Sequence, residues 1–396
     1  MTGCHVADNH KTVKTIAEIN ARIRQGKAVV LTAEAMTKAV RDMGPELAAR
    51  EVDVVTTGTF SPMCSSGLFF NFGQPEPPVI RASRIWLNNV PCAGGLAAVD
   101  GFIGATEPTE DDPLNKVHPG RFRYGGGHVI EDLASGRTVH LRAESYGTDC
   151  YPRRSLEKDV TLDDLPWAQL VNPRNCYQNY NVAVNGGKRI AYTYMGPLKP
   201  GMRNANYATA GCLSPLFNDP YLRTIGLGTR IFLGGGVGYV IGAGSQHVEE
   251  PQRAPNGIPL TAAGTLMLKG NLKGMNGRYL RGHSFLGYGC TLAVGVGIPI
   301  PILDAEMAAF TGVSDADILM PVKDYGLDYP NGVSRVIRHV SYEELRSGEI
   351  EIEGQKVETS PLTSYSMSRE VAEKLKSWIE SGEFLLSEPV EPIPSR

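Results

Sequence analysis

The stretch Val52-Asp-Val-Val-Thr-Thr-Gly-Thr-Phe-Ser-Pro-Met-Cys-Ser-Ser-Gly67 decides the fold class of this sequence. Its apolar beginning, 52–55, predicts a short buried strand, and the small residues of 56–67 predict a loop. A strand that ends in such a loop commonly holds a ligand in α/β proteins. We therefore expect a binding site near the thiol of Cys64.

The segments around this strand extend the α/β pattern. Apolar residues at helical spacing predict a helix at 13–24, a strand is expected at 28–31, and a second helix at 33–43. From 84 to 240, short β-like runs alternate with clusters of Gly, Asn and Pro, and glycine supplies 45 of the 396 residues. The sequence thus predicts a mixed α/β fold with a glycine-rich, β-rich central region.

The length of 396 residues is sufficient for a full hydrophobic core. We predict one catalytic domain at 1–385, with room for an N-terminal α/β subdomain and a β-rich middle subdomain. The last residues, 386–396, are rich in Pro and Glu and are expected to form a loose C-terminal tail.

The charge balance narrows the choice of partners. With 39 basic and 42 acidic residues the net charge is −3, which favours neither nucleic acid nor a membrane surface as a partner. A small-molecule substrate is the better expectation. The sequence shows no signal-peptide pattern and no apolar run long enough to cross a bilayer, so we expect a soluble, cytoplasmic protein. Seven cysteines, an odd number in such a chain, argue against a disulfide framework.

The most suggestive thiol lies in Tyr146-Gly-Thr-Asp-Cys-Tyr-Pro-Arg-Arg154. Asp149 and Pro152 favour a turn, and Arg153 and Arg154 follow directly. Cationic neighbours stabilise a thiolate, which is the reactive form of cysteine. Cys150 is therefore predicted to handle sulfur by carrying it, attacking with it or binding a sulfur-rich cluster. The alternative is a packed, inert thiol, since free cysteine is often buried.

Other cysteines also occupy turn-like contexts. Cys64 lies in a loop whose backbone N–H groups can favour a thiolate, while an inert buried thiol is the alternative there as well. Cys92, Cys176 and Cys212 have similar surroundings in the sequence. Three loop cysteines that converge can hold an iron–sulfur cluster. Cys64, Cys150 and Cys212 are the candidate ligands, and their spacing neither supports nor excludes a cluster.

An acid/base group and a substrate clamp are harder to assign. His128, in Gly125-Gly-Gly-His128, is the best acid/base candidate because the glycines would let a ligand approach, although a structural histidine is the simpler interpretation. The planar guanidinium of arginine is the expected clamp for a substrate carboxylate. The arginines near the loops of interest are Arg153, Arg174, Arg203 and Arg230.

Cofactor motifs are missing from the sequence. The glycine-dense run from Gly226 to Gly238 does not have the spacing of a dinucleotide fingerprint, so its glycines are expected to be structural, with phosphate binding as the alternative. No NAD, flavin or PLP motif and no Cys-x-x-Cys pair is present.

Longer motifs resemble one family specifically, the homocysteine biosynthesis family. The matching segments are Gly58-Thr-Phe-Ser-Pro-Met-Cys-Ser-Ser-Gly67, Phe70-Asn-Phe-Gly73, Gly127-His-Val-Ile-Glu-Asp-Leu133, Tyr146-Gly-Thr-Asp-Cys-Tyr-Pro152, Asn172-Pro-Arg-Asn175, Tyr177-Gln-Asn-Tyr180, Leu213-Ser-Pro-Leu216 and Gly226-Leu-Gly-Thr-Arg-Ile-Phe-Leu-Gly-Gly235. The resemblance covers about 12–380. The family contains the L-aspartate semialdehyde sulfurtransferases of methanogens and certain anaerobic bacteria.

The resemblance implies that aspartate semialdehyde is converted to homocysteine with an inorganic sulfur source such as sulfide. It assigns the family's functional cysteine to Cys150 and a second family cysteine to Cys64. Arg153, Arg174, Arg230 and Asn175 lie in or beside the matching motifs and are predicted to bind the substrate. A small ferredoxin-like reductase partner often accompanies the family. Many relatives carry C-terminal nucleotide-sensing CBS modules, and this sequence ends without them, so adenosyl-type regulation is not expected.

The reaction itself requires a reductant. An aldehyde and sulfide give a thioaldehyde, and two more electrons are needed to reach a thiol. We expect sulfur delivery through a Cys150 persulfide or a cluster-bound sulfide, with electrons from the partner. The alternatives are an iron–sulfur hydro-lyase acting on a small carboxylic acid, and a sulfur carrier or cluster scaffold without turnover. A homodimer is expected because such dimers are the commonest oligomers.

Overall fold

The computed structural model describes residues 14–178, 180–326 and 335–393. Helices and strands are both numerous in these ranges, so the predicted mixed α/β class is confirmed. The helices are α1 (Ile16–Arg24), α2 (Ala33–Met43), α3 (Pro45–Glu51), α4 (Gly126–Ala134), α5 (Pro215–Asn218), α6 (Ala305–Thr311), α7 (Tyr342–Arg346) and α8 (Tyr365–Glu380).

The strands are short and spread along the chain. Those of the first half are β1 (Val30–Thr32), β2 (Val54–Thr56), β3 (Thr59–Pro62), β4 (Gly67–Asn71), β5 (Arg84–Leu87), β6 (Val90–Ala93), β7 (Asp100–Gly104), β8 (Val139–Glu144), β9 (Ser155–Val160), β10 (Trp167–Asn175), β11 (Val182–Val184), β12 (Ala191–Thr193) and β13 (Gly196–Leu198). Those of the second half are β14 (Asn204–Tyr207), β15 (Gly226–Leu227), β16 (Arg230–Leu233), β17 (Gly236–Ala243), β18 (Leu266–Asn271), β19 (Leu280–Phe285), β20 (Gly289–Gly297), β21 (Pro299–Pro301), β22 (Leu319–Asp324), β23 (Val336–Ser341), β24 (Glu349–Ile352), β25 (Gln355–Pro361) and β26 (Glu391–Pro392).

A thirteen-stranded antiparallel sheet forms the body of the protein. Its strand order is β19-β20-β16-β17-β18-β10-β4-β7-β6-β5-β8-β9, and β3 pairs with β20. β3 and β4 are separated only by a turn at 63–66, yet β3 bonds to β20 and β4 bonds to β10. Because β16, β17 and β18 join β20 to β10, the chain closes a ring of hydrogen-bonded strands.

Smaller sheets flank this body. β1, β2 and β21 form a three-stranded sheet, and a six-stranded mixed sheet has the order β23-β22-β11-β14-β25-β24. The six-stranded sheet has its own apolar cluster, which includes Val182, Val322 and Val340. Within the described ranges, no helix is both long and apolar enough to cross a membrane.

Helix α8 packs against the strands that carry the N-terminal motif. Its buried side chains recur at helical spacing and are Ser368, Val371, Ala372, Leu375 and Ile379. The hydroxyl of Ser368 accepts a hydrogen bond from the backbone N–H of Phe60 at 3.1 Å. A Cβ at Gly58 would collide with the carbonyl oxygen of Ser368, so glycine is what lets the helix and the strand approach.

Two expectations from the sequence are corrected. The predicted loop at 56–67 contains a strand, β3, because Thr59 and Phe60 find pairing partners in β20, far along the chain. The glycines before His128 do not make room for a ligand, because they begin α4. A Cβ at Gly126 would collide with the carbonyl oxygen of Gly104, and one at Gly127 with that of Thr291.

The structural interpretation of the glycine-dense run is confirmed. Gly234 and Gly235 form the turn between β16 and β17 with φ values of +61° and +94°. Residues with positive φ at both turn positions are the ones that match the twist of a tight hairpin. No role in binding is needed to explain these two glycines.

The described C-terminal residues are not a loose tail. β26 pairs with β15, and the backbone N–H of Val390 donates to Leu227 at 2.8 Å. The side-chain amide of Asn20 in α1 binds both the carbonyl and the N–H of Leu386. The segment up to residue 393 is therefore held to the body at both of its ends.

A buried ion pair fixes the N-terminal helix. Asp53 is fully buried, and its carboxylate binds the ammonium of Lys14 at 3.0 Å, the guanidinium of Arg22 at 3.1 Å and the backbone N–H of Val29 at 2.8 Å. Burial lowers the pKa of Lys14, against the opposing effect of its bond to Asp53. Removal of the carboxylate would leave a buried cation without its counter-charge.

We expect Asp53→Asn to lower the free energy of unfolding by about 3–5 kcal/mol, the usual cost of breaking a buried pair. Urea unfolding at neutral pH measures this change. Asp42→Asn is the control, because Asp42 is 57% exposed and lies 3.9 Å from Arg41, and its effect should stay within about 0.5 kcal/mol. Equal free energies of unfolding for the two variants would contradict a stabilising role of the buried Asp53 ion pair.

Candidate active site

A cavity of about 430 Å³ lies where the strand ring meets the segments that follow β10, β12 and β14. The turn after β3 supplies Cys64, the end of β10 supplies Arg174, and the residues after it supply Cys176. Four tyrosines complete much of the wall, namely Tyr177, Tyr180, Tyr194 and Tyr288. The volume suits a small metabolite.

Cys64 is positioned by the turn that connects β3 to β4. The N–H of Met63 donates to Leu292 at 2.7 Å, and the N–H of Ser66 donates to Met63 at 3.0 Å. The thiol is half-buried, and the hydroxyl of Tyr288 donates to its sulfur at 3.5 Å. A hydroxyl that donates to sulfur stabilises negative charge on that atom.

Arg174 faces the cavity without a carboxylate partner among the described residues. Its guanidinium donates to the side-chain oxygen of Gln246 and lies 5.6 Å from the ring centre of Tyr177. Its Nε is buried and has no hydrogen-bond partner in the described protein. A cation with unused donor capacity at a cavity wall is suited to a carboxylate ligand.

The tyrosines form a connected aromatic wall. Ring centres are 4.6 Å apart for Tyr177 and Tyr180, 5.9 Å for Tyr180 and Tyr194, and 6.3 Å for Tyr194 and Tyr288. Burial raises the pKa of Tyr177 to about 12 and raises that of Tyr180 well above its usual value. These two hydroxyls therefore stay protonated at neutral pH.

Further polar groups line the same cavity. The side-chain oxygen of Asn181 and the hydroxyl of Thr209 are buried and have no hydrogen-bond partner in the part of the chain that the structure describes. Buried polar atoms are nearly always bonded in folded proteins. The unused groups, together with Arg174, are what a polar substrate would satisfy.

Cys176 is a buried thiol on this wall. Its φ is +53°, which is rare for a residue with a side chain, and the side-chain oxygen of Asn175 accepts the Cys176 N–H at 2.6 Å. Burial raises the pKa of the Cys176 thiol. Two cysteines, Cys64 and Cys176, thus share one cavity.

Comparisons with known proteins identify the family of this chain. A family model described as "Homocysteine biosynthesis enzyme, sulfur-incorporation" matches residues 28–386. The chain belongs to this family.

Similar proteins come from methanogens. An L-aspartate semialdehyde sulfurtransferase of Methanosarcina acetivorans is 51% identical over 96% of this chain and 72% of its own length. A protein of the same name from Methanocaldococcus jannaschii is 50% identical over 96% of this chain and 73% of its own length. An uncharacterized protein of Methanothermobacter thermautotrophicus is 32% identical over 85% and 72%. No solved structure gave a significant match.

Cys150, to which the family resemblance assigns the functional role, lies outside the cavity. It is exposed in the hairpin between β8 and β9, where Thr148 and Tyr151 exchange backbone hydrogen bonds of 2.9 and 3.1 Å. The guanidinium of Arg153 donates to the carbonyls of Glu76 and Pro78, which follow the end of β4.

Cys64 and Cys150 therefore lie at opposite ends of β4. Cys64 precedes the first residue of this strand, whereas the hairpin of Cys150 contacts the segment after its last residue. The five residues of β4 alone span about 13 Å. The structure does not bring these two thiols together.

The remaining predicted residues are dispersed. His128 lies in α4, stacked on Tyr124 at 5.4 Å, and burial lowers its pKa. Arg230 lies over the ring of Phe384 at 4.4 Å, and the Arg203 guanidinium donates to the carbonyl of Pro200 at 3.1 Å. Asn175 lies next to the cavity wall. Of all the predicted residues, only Cys64 and Arg174 line the cavity itself.

The three proposed cluster ligands are also apart. Cys212 is buried near the hydroxyl of Tyr365, 3.9 Å away, and burial raises its pKa. The described ranges hold no group of three or more His, Cys, Asp or Glu side chains placed to bind a metal ion. Cys64, Cys150 and Cys212 of one chain therefore do not fit an iron–sulfur cluster in this structure.

The hydrogen bond from Tyr288 generates a test of the site. We expect Tyr288→Phe to slow alkylation of Cys64 by about fivefold, the equivalent of one hydrogen bond of about 1 kcal/mol. Mass spectrometry after timed iodoacetamide treatment measures the rate at each cysteine. Alkylation of Cys150 in the same sample should not change.

Tyr239→Phe is the matched control, because Tyr239 is 46% exposed on β17. An unchanged Cys64 rate in Tyr288→Phe would show that the hydroxyl has no effect on this sulfur.

Proposed function

We propose that this protein is an L-aspartate semialdehyde sulfurtransferase that forms L-homocysteine and that the Cys64–Arg174 cavity is its active site. Homocysteine biosynthesis with sulfur incorporation is the description of its family, and the substrate is taken from the names of two relatives at 50–51% identity. The observation that carries the choice of site is that a thiol and a guanidinium without a carboxylate partner among the described residues line one cavity of metabolite size.

Substrate binding follows from the charges of aspartate semialdehyde. The guanidinium of Arg174 would bind the carboxylate, satisfying its free Nε. No Asp or Glu is among the described residues that line the cavity, so the ammonium group would rest on the tyrosine faces and on carbonyl oxygens. In this placement the aldehyde carbon would face Cys64, which lines the same cavity.

The chemistry balances in two steps. Sulfide adds to the aldehyde carbon, and loss of water replaces the C=O bond by C=S. Two electrons and two protons then convert the thioaldehyde to the thiol of homocysteine. The hydroxyl of Tyr177 can supply a hydrogen bond to the departing oxygen, while the electrons come from an external donor, for which a ferredoxin-like reductase is our proposal.

We further propose that sulfur enters at Cys150. An exposed thiol on a hairpin is accessible to a protein or polysulfide donor, which would leave a persulfide there. Cys64 lies at the other end of β4, so sulfur would pass from Cys150 to Cys64 more easily between two copies of the chain than within one copy. The hairpin of one copy would then face the cavity of the other. The proposed homodimer would serve this transfer.

The central test uses anaerobic protein with aspartate semialdehyde, a polysulfide donor and a low-potential reductant. We expect homocysteine from the native chain and none from Cys64→Ala or Cys150→Ala. Mass spectrometry of the donor-treated variants should find a persulfide on Cys150 in Cys64→Ala and no persulfide on Cys64 in Cys150→Ala.

Cys92→Ala is the control, because Cys92 does not line the cavity and burial raises its pKa. The native protein could fold well and take up sulfur yet make no homocysteine, even with the reductase partner added. That result would refute the proposed enzymatic activity and favour a sulfur carrier.

The substrate clamp has its own test. Arg174→Gln removes a charge-assisted contact that is typically worth about 1.5–3 kcal/mol, so KM for aspartate semialdehyde should rise by about 10- to 100-fold. Steady-state kinetics measures KM and kcat. Arg203→Gln, away from the cavity, should leave both near the native values, and an unchanged KM in Arg174→Gln would contradict the clamp.

A further inference from the structure

Cys176 shares the cavity with Cys64, and neither substrate binding nor the addition of sulfide to the aldehyde requires it. Besides its position, two contacts tie its segment to that of Cys64. The hydroxyl of Ser65 donates to the carbonyl of Arg174 at 3.1 Å, and the side-chain amide of Asn172 donates to the hydroxyl of Ser66 at 2.7 Å. The two thiol-bearing segments therefore run side by side.

The environment of Cys176 differs from that of the other buried thiols. Cys290, for example, lies within β20 with its sulfur 3.3 Å from the carbonyl oxygen of Phe122, and it does not line the cavity. Cys176 instead lies one residue beyond β10, where its positive φ turns the chain out of the strand at the cavity wall. A rare backbone conformation at a site wall is a frequent mark of function.

We propose that Cys176 is the resolving thiol of this enzyme, which attacks a persulfide on Cys64 and releases sulfide inside the cavity. This inference rests on the proposed function. The purpose of the step is to reduce the outer sulfur of the persulfide to sulfide next to the bound aldehyde.

The step balances without another reactant. The sulfur of Cys176 bonds to the sulfur of Cys64, the bond between Cys64 and its outer sulfur breaks, and the outer sulfur leaves as hydrogen sulfide. The two thiol sulfurs are oxidised to a disulfide, and the outer sulfur is reduced by two electrons. A dithiol or another low-potential reductant then reopens the disulfide with two electrons and two protons.

The proton of Cys176 has a defined place in this step. The thiolate is the nucleophile and burial raises the pKa of Cys176, so the thiol loses its proton only as it attacks, and that proton can pass to the departing sulfide. Cys64 is more accessible and receives the hydrogen bond of Tyr288, so it is the better acceptor of incoming sulfur.

The test needs no aspartate semialdehyde. Reduced, full-length protein is treated anaerobically with inorganic polysulfide, desalted, and assayed for sulfide release in the absence of reductant. For the native chain we expect release of sulfide together with a Cys64–Cys176 disulfide found by peptide mass spectrometry. Cys176→Ser and Cys176→Ala should instead retain a persulfide on Cys64 and lose the release.

Cys290→Ser is the matched control for a buried cysteine and should behave like the native chain. The proposal is overturned if Cys176→Ser or Cys176→Ala releases sulfide like the native chain, if neither holds a persulfide on Cys64, or if the native disulfide joins Cys64 to a different cysteine. Circular dichroism shows whether each Cys176 variant is folded. If one of them fails to fold, the sulfide release of the other tests the proposal.

Failure of the proposed function would look different. Sulfide release and the disulfide could form as expected while no homocysteine appears after aspartate semialdehyde and reductant are added. That result would keep the resolving role of Cys176 and remove the assignment of the substrate.

Discussion

The closure of the strand ring by β3 and β4 is the constraint on which the site depends. One short segment bonds to β20 on one side and to β10 on the other, and the turn between its two strands carries Cys64. The end of β10 then supplies Arg174 and Cys176 beside that turn. A register shift in either pairing would move the thiol relative to the guanidinium, so the backbone hydrogen bonds of the ring also set the geometry of the chemistry.

Electrostatics separates the arginine of the cavity from the other arginines considered. Arg153 is hydrogen-bonded to backbone carbonyls, and Arg230 lies over an aromatic ring, so contacts within the protein already position each of these guanidinium groups. Arg174 has an amide and a ring as neighbours, no carboxylate partner among the described residues, and a buried Nε without a partner. Burying polar donors without full compensation costs free energy, and a bound carboxylate recovers it.

Much of this fold and part of the site could be predicted from the sequence. The helix at 33–43 and the structural role of the glycine-dense run followed from local pattern and turn chemistry, which act over a few residues. The strand character of Thr59–Pro62 did not, because its partner β20 is distant in the chain. For the same reason, no local pattern indicates that Tyr194 and Tyr288 lie side by side.

Some site residues could likewise be recognised from local sequence, whereas others are brought to the site only by the fold. Cys64 stood out because a strand and a small-residue loop surround it, and Arg174 because it lies in a motif shared with a family. Tyr177 and Tyr180 belong to a matching motif as well, although the motif alone does not indicate that they line the cavity. Cys176 has the same local sequence features as several other cysteines, and only the fold places it beside Cys64. The ring also has a consequence for biosynthesis, because Pro62 pairs with Ala293, over 200 residues later in the chain. During translation the ring cannot close until most of the protein has left the ribosome, so the nascent Cys64 thiol is exposed for most of that time and depends on a reducing cell to stay intact.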